Sequence, residues 1–219
     1  MDKNLTIAEE KHLESLIRRY GKLQAIREQI LKAYLVLRES YQGGGKLLAA
    51  GNGGSAADAE HIVGELMKRF VLKRPISAEL AQALEAVDPV RGKELAEKLE
   101  APLTAVALTA HEALSTAYAN DVDGKLTFAQ QLLGFGRKGD VFLGITTSGN
   151  SANIINAAIL AKAMGIRVIG LTGREGGELK KHSEACVIVP EQETYLIQEL
   201  HLPIYHCWCM MLEAHFFSE

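Results

Sequence analysis

Asp140-Val141-Phe142-Leu143-Gly144-Ile145 runs straight into Thr146-Thr147-Ser148-Gly149-Asn150-Ser151, and Ala152 to Met164 follows with helical composition. An apolar run of this length, stopped by turn residues, reads as a strand buried on both faces. The turn places four hydroxyls in six residues between that strand and the next helix. The first N–H groups of a helix lack internal partners and carry partial positive charge. Glycine lets the backbone approach closely, and hydroxyls rotate to suit oxygen atoms. A phosphate dianion fits such a cradle without a lysine. The competing reading is that Ser148 or Ser151 only caps the helix. The dinucleotide spacing Gly-x-Gly-x-x-Gly and the closing Gly-Lys-Ser/Thr of a Walker loop are both absent.

The same strand–turn–helix logic stands earlier in the chain. Lys46 to Ala50 is followed by Gly51-Asn52-Gly53-Gly54-Ser55 and a helix from Ala56 to Phe70. Further strands are expected at 103–108, 167–171 and 185–189, with helices at 111–118, 125–135, near Glu178, and from Thr194 to Phe217. Strands alternating with helices imply parallel pairing and right-handed crossovers. The expected fold is α/β, a three-layer αβα sandwich on a five-stranded parallel sheet, flavodoxin-like. In such sheets ligands sit beyond the carboxyl ends of the strands, where both turns lie. The 219 residues read as one domain, with a helical region at 1–45 and a helical segment at 77–100 punctuated by Asp88-Pro89.

A net charge of −3 gives no basic field for nucleic acid, and no apolar run spans a bilayer. Cys186, Cys207 and Cys209 are too few for a disulfide framework. They fit a reducing compartment, so the chain is read as cytoplasmic. Cys207 and Cys209, flanking Trp208, read as small core residues.

His61 and Glu65 stand four apart on the helix after the first turn, on one face, where imidazole and carboxylate can share a metal ion. Alone, such a pair is more often a surface contact. On the closing helix Gln198, His201, Tyr205 and His206 fall within one broad face. His201 reads as a satisfied core histidine, and Pro203 is expected to bend the helix locally.

These pieces together carry a resemblance. Gly51 to Asp58, His61, Glu65, Arg69, Asn120-Asp121, the Thr147 to Ser151 loop, Ile197-Gln198-Glu199 with His201, and His206 eight after Gln198 resemble the sugar-isomerase-domain (SIS) family. Within it they are most similar to the phosphoheptose isomerases. The resemblance implies an aldose–ketose isomerase that converts sedoheptulose 7-phosphate to D-glycero-D-manno-heptose 7-phosphate through an enediol. Glu65 would be the base and His206 the acid. His61, Glu65, Gln198 and His206 would hold one zinc per subunit. Thr146, Thr147, Ser148 and Ser151, with Ser55, would hold the phosphate, while Asn52, Gly53, Arg69, Asn120, Asp121 and Gln198 complete the substrate site. For Arg69 a surface salt bridge is the plain alternative. The family also implies a homotetramer and a place in lipopolysaccharide-core heptose synthesis.

Two features depart from the family pattern. Residues 77–100 look like an insertion, able to form a lid, a subunit contact or a solvated elaboration. Tyr195 stands where a polar residue is frequent. The long N-terminal helices and the apolar closing helix exceed what one sheet needs, which predicts association. Two other functions compete: a non-catalytic phosphosugar sensor or replication-initiator adaptor, and an isomerase of another phosphosugar.

Overall fold

The computed structural model describes residues 5–218. Five strands form one parallel sheet: β1 (Leu47–Ala50), β2 (Ala105–Ala107), β3 (Val141–Ile145), β4 (Arg167–Thr172) and β5 (Ala185–Ile188), in the order β2-β1-β3-β4-β5. Every residue of β1 and β3 is buried, as expected for central parallel strands covered on both faces. In register, Leu47 to Ala50 lie against Val141 to Gly144. The chain reverses its winding direction between β1 and β3, so the ligand crevice of this topology opens at their carboxyl ends.

One face is covered by α1 (Ile7–Arg19), α2 (Arg27–Gln42), α3 (Gly54–Met67) and α10 (Thr194–Phe217). The other is covered by α7 (Thr127–Phe135) and α8 (Ala152–Ala163), through Phe128, Leu132, Ile154, Ala157, Ala158 and Ala161. The smaller helices are α4 (Ala78–Val87), α5 (Arg91–Lys98), α6 (Glu112–Tyr118) and α9 (Leu179–His182). The three-layer expectation holds.

Helix α1 begins on a capping box: Thr6 accepts from the Glu9 N–H, and Glu9 accepts from the Thr6 N–H. A 3-10 segment, Gly21–Ile26, separates α1 from α2. Both helices spend their apolar residues inside the protomer. Leu13, Leu23, Ile30 and Tyr34 are fully buried, and the Trp208 indole on α10 donates to the Ile30 carbonyl at 3.0 Å. Ile7 on α1 and Leu202 on α10 stay 75% and 40% exposed. Helix α10 also runs unbroken through the buried Pro203. The carbonyl left without an N–H partner belongs to the exposed Glu199.

Residues 77–100 form a hairpin of α4 and α5. A Cβ at Gly92 would lie 2.1 Å from the Leu84 carbonyl oxygen, so the two helices cross at backbone contact. No residue of α4 is buried, and Val87 and Val90 at the tip are 87% and 79% exposed. Cys207 and Cys209 lie in the core as read, and burial pushes the Cys207 thiol up to about 12. Among the described residues no helix is long and apolar enough to cross a membrane.

Candidate active site

The turns after β1 and β3 face one crevice. A cavity of about 330 Å³ is lined by Asn52, Gly53, Ser55, Thr146, Thr147 and Ser151, with Thr194 and Gln198 of α10 on its far wall. Ser151 stands at the N-cap position of α8, yet its side chain caps nothing. Its hydroxyl instead pairs with that of Thr146 at 2.8 Å. The capping alternative thus fails for Ser151, and its hydroxyl and the adjoining helix terminus face the same space. Ser148 is spent more locally, accepting from the Asn150 N–H at 3.1 Å.

Two glycines make this geometry possible. Gly149 has φ +70°, and a Cβ there would meet the Gly176 carbonyl oxygen at 2.0 Å. A Cβ at Gly54 would lie 2.6 Å from the Gln198 side-chain nitrogen. The closing helix can approach the first turn only because Gly54 has no side chain. The turns are also joined directly: the Asn52 amide donates to Asn153 at 3.0 Å and accepts from it at 2.8 Å.

Further along the same two helices lies a second group. His61 Nε2 is 3.3 Å from Glu65 Oε1 and 3.4 Å from His206 Nε2, although His61 and His206 are 145 residues apart. Lys68 Nζ is 3.4 Å from the other oxygen of Glu65. Burial, with His61 beside it, lowers the pKa of His206 below the usual histidine value. The Phe70 ring lies against His206, centroids 5.2 Å apart. Beside His206 a cavity of about 240 Å³ opens, lined in part by His12, Arg19 and Met210.

The end of α3 that carries Glu65 is fixed by a buried ion pair. Arg74 and Glu213 are both almost wholly excluded from solvent and meet at 2.8 Å. Glu213 also accepts the backbone N–H groups of Phe70, Val71 and Leu72. Arg74 donates to the carbonyls of Leu66 and Glu65, closing the helix terminus. A charge pair this deep is tolerable because every strong donor and acceptor is matched.

Other expected residues stand elsewhere. Arg69 pairs with Glu100 at 3.0 Å, the salt-bridge alternative read for it. Asn120 and Asp121 lie exposed in a π-helical turn, Ala119–Asp123, and hydrogen-bond each other. Gln198 joins the hydroxyl cradle. His201 is fully buried, as read, with the Thr172 backbone as its nearest polar partner. Neither ring nitrogen has a partner of good geometry, and burial pushes its pKa down to about 4.

The sequence of this chain matches the SIS domain over residues 11–101 and 90–173, two stretches that overlap within the hairpin. It is 37% identical over 183 residues to a phosphoheptose isomerase of Akkermansia muciniphila, covering 84% of this chain and 83% of that one. It is 41% identical to a phosphoheptose isomerase of Aneurinibacillus thermoaerophilus, covering 83% and 78%. The chain belongs to the SIS domain family, among its phosphoheptose isomerases. That places it among the isomerases. Its fold superposes on the phosphoheptose isomerase of Neisseria gonorrhoeae with a TM-score of 0.70 at 32% identity, covering 94% of this chain and 96% of that one. For the phosphoheptose isomerase of Francisella tularensis the score is 0.72 at 30% identity, covering 93% and 95%.

Sequence reasoning missed several residues of this candidate site. Thr194 and Asn153 each line or latch the crevice, and only the spatial meeting of the turns shows it. Asp58 stands three before His61 on α3, a spacing that puts both on one face and could have flagged it. Glu213, a carboxylate seven after His206 within an apolar helix, was an equally legible signal.

Proposed function

We propose that this chain interconverts sedoheptulose 7-phosphate and D-glycero-D-manno-heptose 7-phosphate. The observation that carries the reading is the meeting of Glu65 and His206 around His61, along the same two helices that wall the hydroxyl cradle. Gln198 at the cradle and His206 are eight residues apart on α10, about 12 Å of helical rise. A sugar phosphate gripped in the hydroxyl cradle would present its other end along these helices toward Glu65 and His206.

Glu65 takes a proton from C1 of the ketose, the C2 carbonyl electrons move onto O2, and His206 delivers a proton there. The product is a 1,2-enediol. His206, now deprotonated, takes the O1 proton as the C1 carbonyl forms, and Glu65 returns its proton to C2, giving the aldose and restoring both groups. Each transfer is general acid–base work, worth about 10²- to 10⁴-fold per group. Thr146, Thr147, Ser151 and Ser55, with Ser148 shaping the turn, hold the phosphate. Asn52 and Gly53 line the same crevice. Arg69, Asn120 and Asp121 do not line the crevice of one chain, and in the family reading they complete a site built between subunits.

Zinc belongs to the same proposal. His61, Glu65, His206 and Gln198 offer two imidazoles, a carboxylate and an amide oxygen, a fitting donor set. The 3.3 and 3.4 Å separations around His61 Nε2 match the edge of a tetrahedral site with bonds of about 2.0–2.1 Å. Yet among the described residues no three His, Cys, Asp or Glu side chains converge as a ready coordination shell. The donors thus fit in kind and pairwise, and a closed site needs Gln198 or a side-chain rotation. When bound, zinc supplies positive charge that steadies the enediolate. A carboxylate committed to the metal is less free as a base, so the two roles of Glu65 compete.

Homotetrameric assembly, a cytoplasmic setting and heptose supply to lipopolysaccharide complete the reading. They rest on the family resemblance.

The test is kinetic. Purified protein is given sedoheptulose 7-phosphate and a panel of shorter ketose phosphates, with and without zinc, while light scattering reads the assembly. Glu65→Gln and His206→Ala are expected to lower kcat by about 10²- to 10⁴-fold with the fold intact. A wild type that binds the sugar phosphate without turning it over would overturn the isomerase reading in favour of a sensor.

A further inference from the structure

Tyr205 on α10 is 1% exposed, and its hydroxyl touches two groups of α3. It lies 3.0 Å from Asp58 Oδ1 and 3.1 Å from His61 Nδ1. Its ring meets the His61 ring edge-on, centroids 5.6 Å apart. A phenol has a single proton to donate. A carboxylate only accepts, so the Tyr205 proton goes to Asp58. The contact with His61 Nδ1 can then be a hydrogen bond only if Nδ1 carries the proton and the phenol oxygen accepts it. Burial, then the charge of Asp58, raises the Tyr205 pKa far above the usual value, so the phenol stays a donor.

The consequence falls on the other side of the ring. A neutral imidazole protonated at Nδ1 is bare at Nε2. In the neutral ring that nitrogen accepts from His206 Nε2–H at 3.4 Å, and Glu65 Oε1, 3.3 Å away, adds negative charge that a cation seated between them would offset. We infer that Tyr205, anchored by Asp58, is a positioning residue that fixes the tautomer and rotation of His61 so that the Nε2 lone pair faces the Glu65–His206 cleft. This inference rests on the assignment of His61 as a metal donor only for its use; the tautomer itself belongs to the metal-free protein. A histidine that binds a metal through one nitrogen is characteristically held by a hydrogen bond at the other. Here the holding group is a phenol borrowed from a helix far off in sequence.

The test is made on metal-free, nitrogen-15-labelled protein near pH 8, where long-range proton–nitrogen correlation spectra report which ring nitrogen of His61 is protonated. Wild type is expected to show the Nδ1–H form. Asp58→Ala leaves the Tyr205 proton no acceptor but His61 Nδ1, so the ring is expected to switch to the Nε2–H form. Tyr205→Phe removes the constraint and should give a mixture. Asp58→Asn keeps an accepting oxygen and should retain the wild-type tautomer. Zinc affinity, read by competition with a chromogenic chelator, is expected to weaken about 10- to 100-fold in Asp58→Ala and Tyr205→Phe and to stay near wild type in Asp58→Asn. Circular dichroism melts confirm folding for each.

An Nε2–H ring in wild type, or a ring indifferent to Asp58→Ala and Tyr205→Phe, overturns the inference. An inert wild type with the expected tautomer sinks the isomerase reading and leaves the relay standing. If zinc fails to bind at all, the metal assignment falls and the tautomer spectra alone judge the relay.

Discussion

Residues 68–75 and residues 77–100 follow one another along the chain, and the fold treats them in opposite ways. The first segment has little regular structure, yet it is pinned through Glu213, which takes three backbone N–H groups and the Arg74 side chain. The second is mostly helical, and α4 buries nothing. Regularity is therefore a poor guide to importance here. The irregular segment closes the helix that presents Glu65 and lays Phe70 against His206. The regular hairpin closes only on itself and at its base, where Pro75 bridges Glu100.

Breaking the buried joint should have the larger effect. Glu213→Ala leaves Arg74 charged and unpaired in the core and strips three N–H groups of their acceptor. A loss of about 3–5 kcal/mol is expected from the ion pair alone. At about 2–4 °C per kcal/mol for a chain of this size, the melting temperature should fall by roughly 6–20 °C. A shift under about 2 °C would show that the joint contributes little.

The same carboxylate gives a pH signature. Burial pushes its pKa up, but the N–H groups of Leu72, Phe70 and Val71 with Arg74 outweigh that and hold it below the ordinary 4.5. A depressed folded-state pKa means stability that is present above the unfolded value and lost as pH falls through the folded one. Acid melts of wild type should steepen below pH 4.5, and Glu213→Gln should flatten that limb. An unchanged slope would place the acid sensitivity elsewhere.

Excising the hairpin should matter least. Replacing residues 77–99 with a short Gly-Ser linker is expected to move the melting temperature by no more than about 2–4 °C. It should leave KM for the sugar phosphate within about threefold, under 1 kcal/mol of binding. A tenfold rise in KM would make the hairpin a lid, and loss of the assembled form would make it a subunit contact.

How far the sequence could be read follows the same division. The strands and both turns were legible because a buried strand must be apolar and a tight approach must be glycine. Helix α10 was read to its ends, Thr194 and Phe217, because its apolar run is long and holds no glycine. The helix continues through Pro203, since losing one N–H costs little where the orphaned carbonyl belongs to an exposed residue. The N-terminal helices show a different limit. Their apolar stripes were visible, but periodicity does not say whether a stripe meets its own chain or another. His61, Glu65 and His206 could be proposed as a set only through family likeness. The pairing of Arg74 with Glu213, across 139 residues, has no local signature. Asn52 with Asn153, across 101, has none either.

The reciprocal amide bond between Asn52 and Asn153 carries one more consequence. Each amide is already answered by the other, so a guest that separates them must return both a donor and an acceptor. A polyhydroxy chain brings both kinds of group, whereas a fully ionised inorganic anion brings acceptors only.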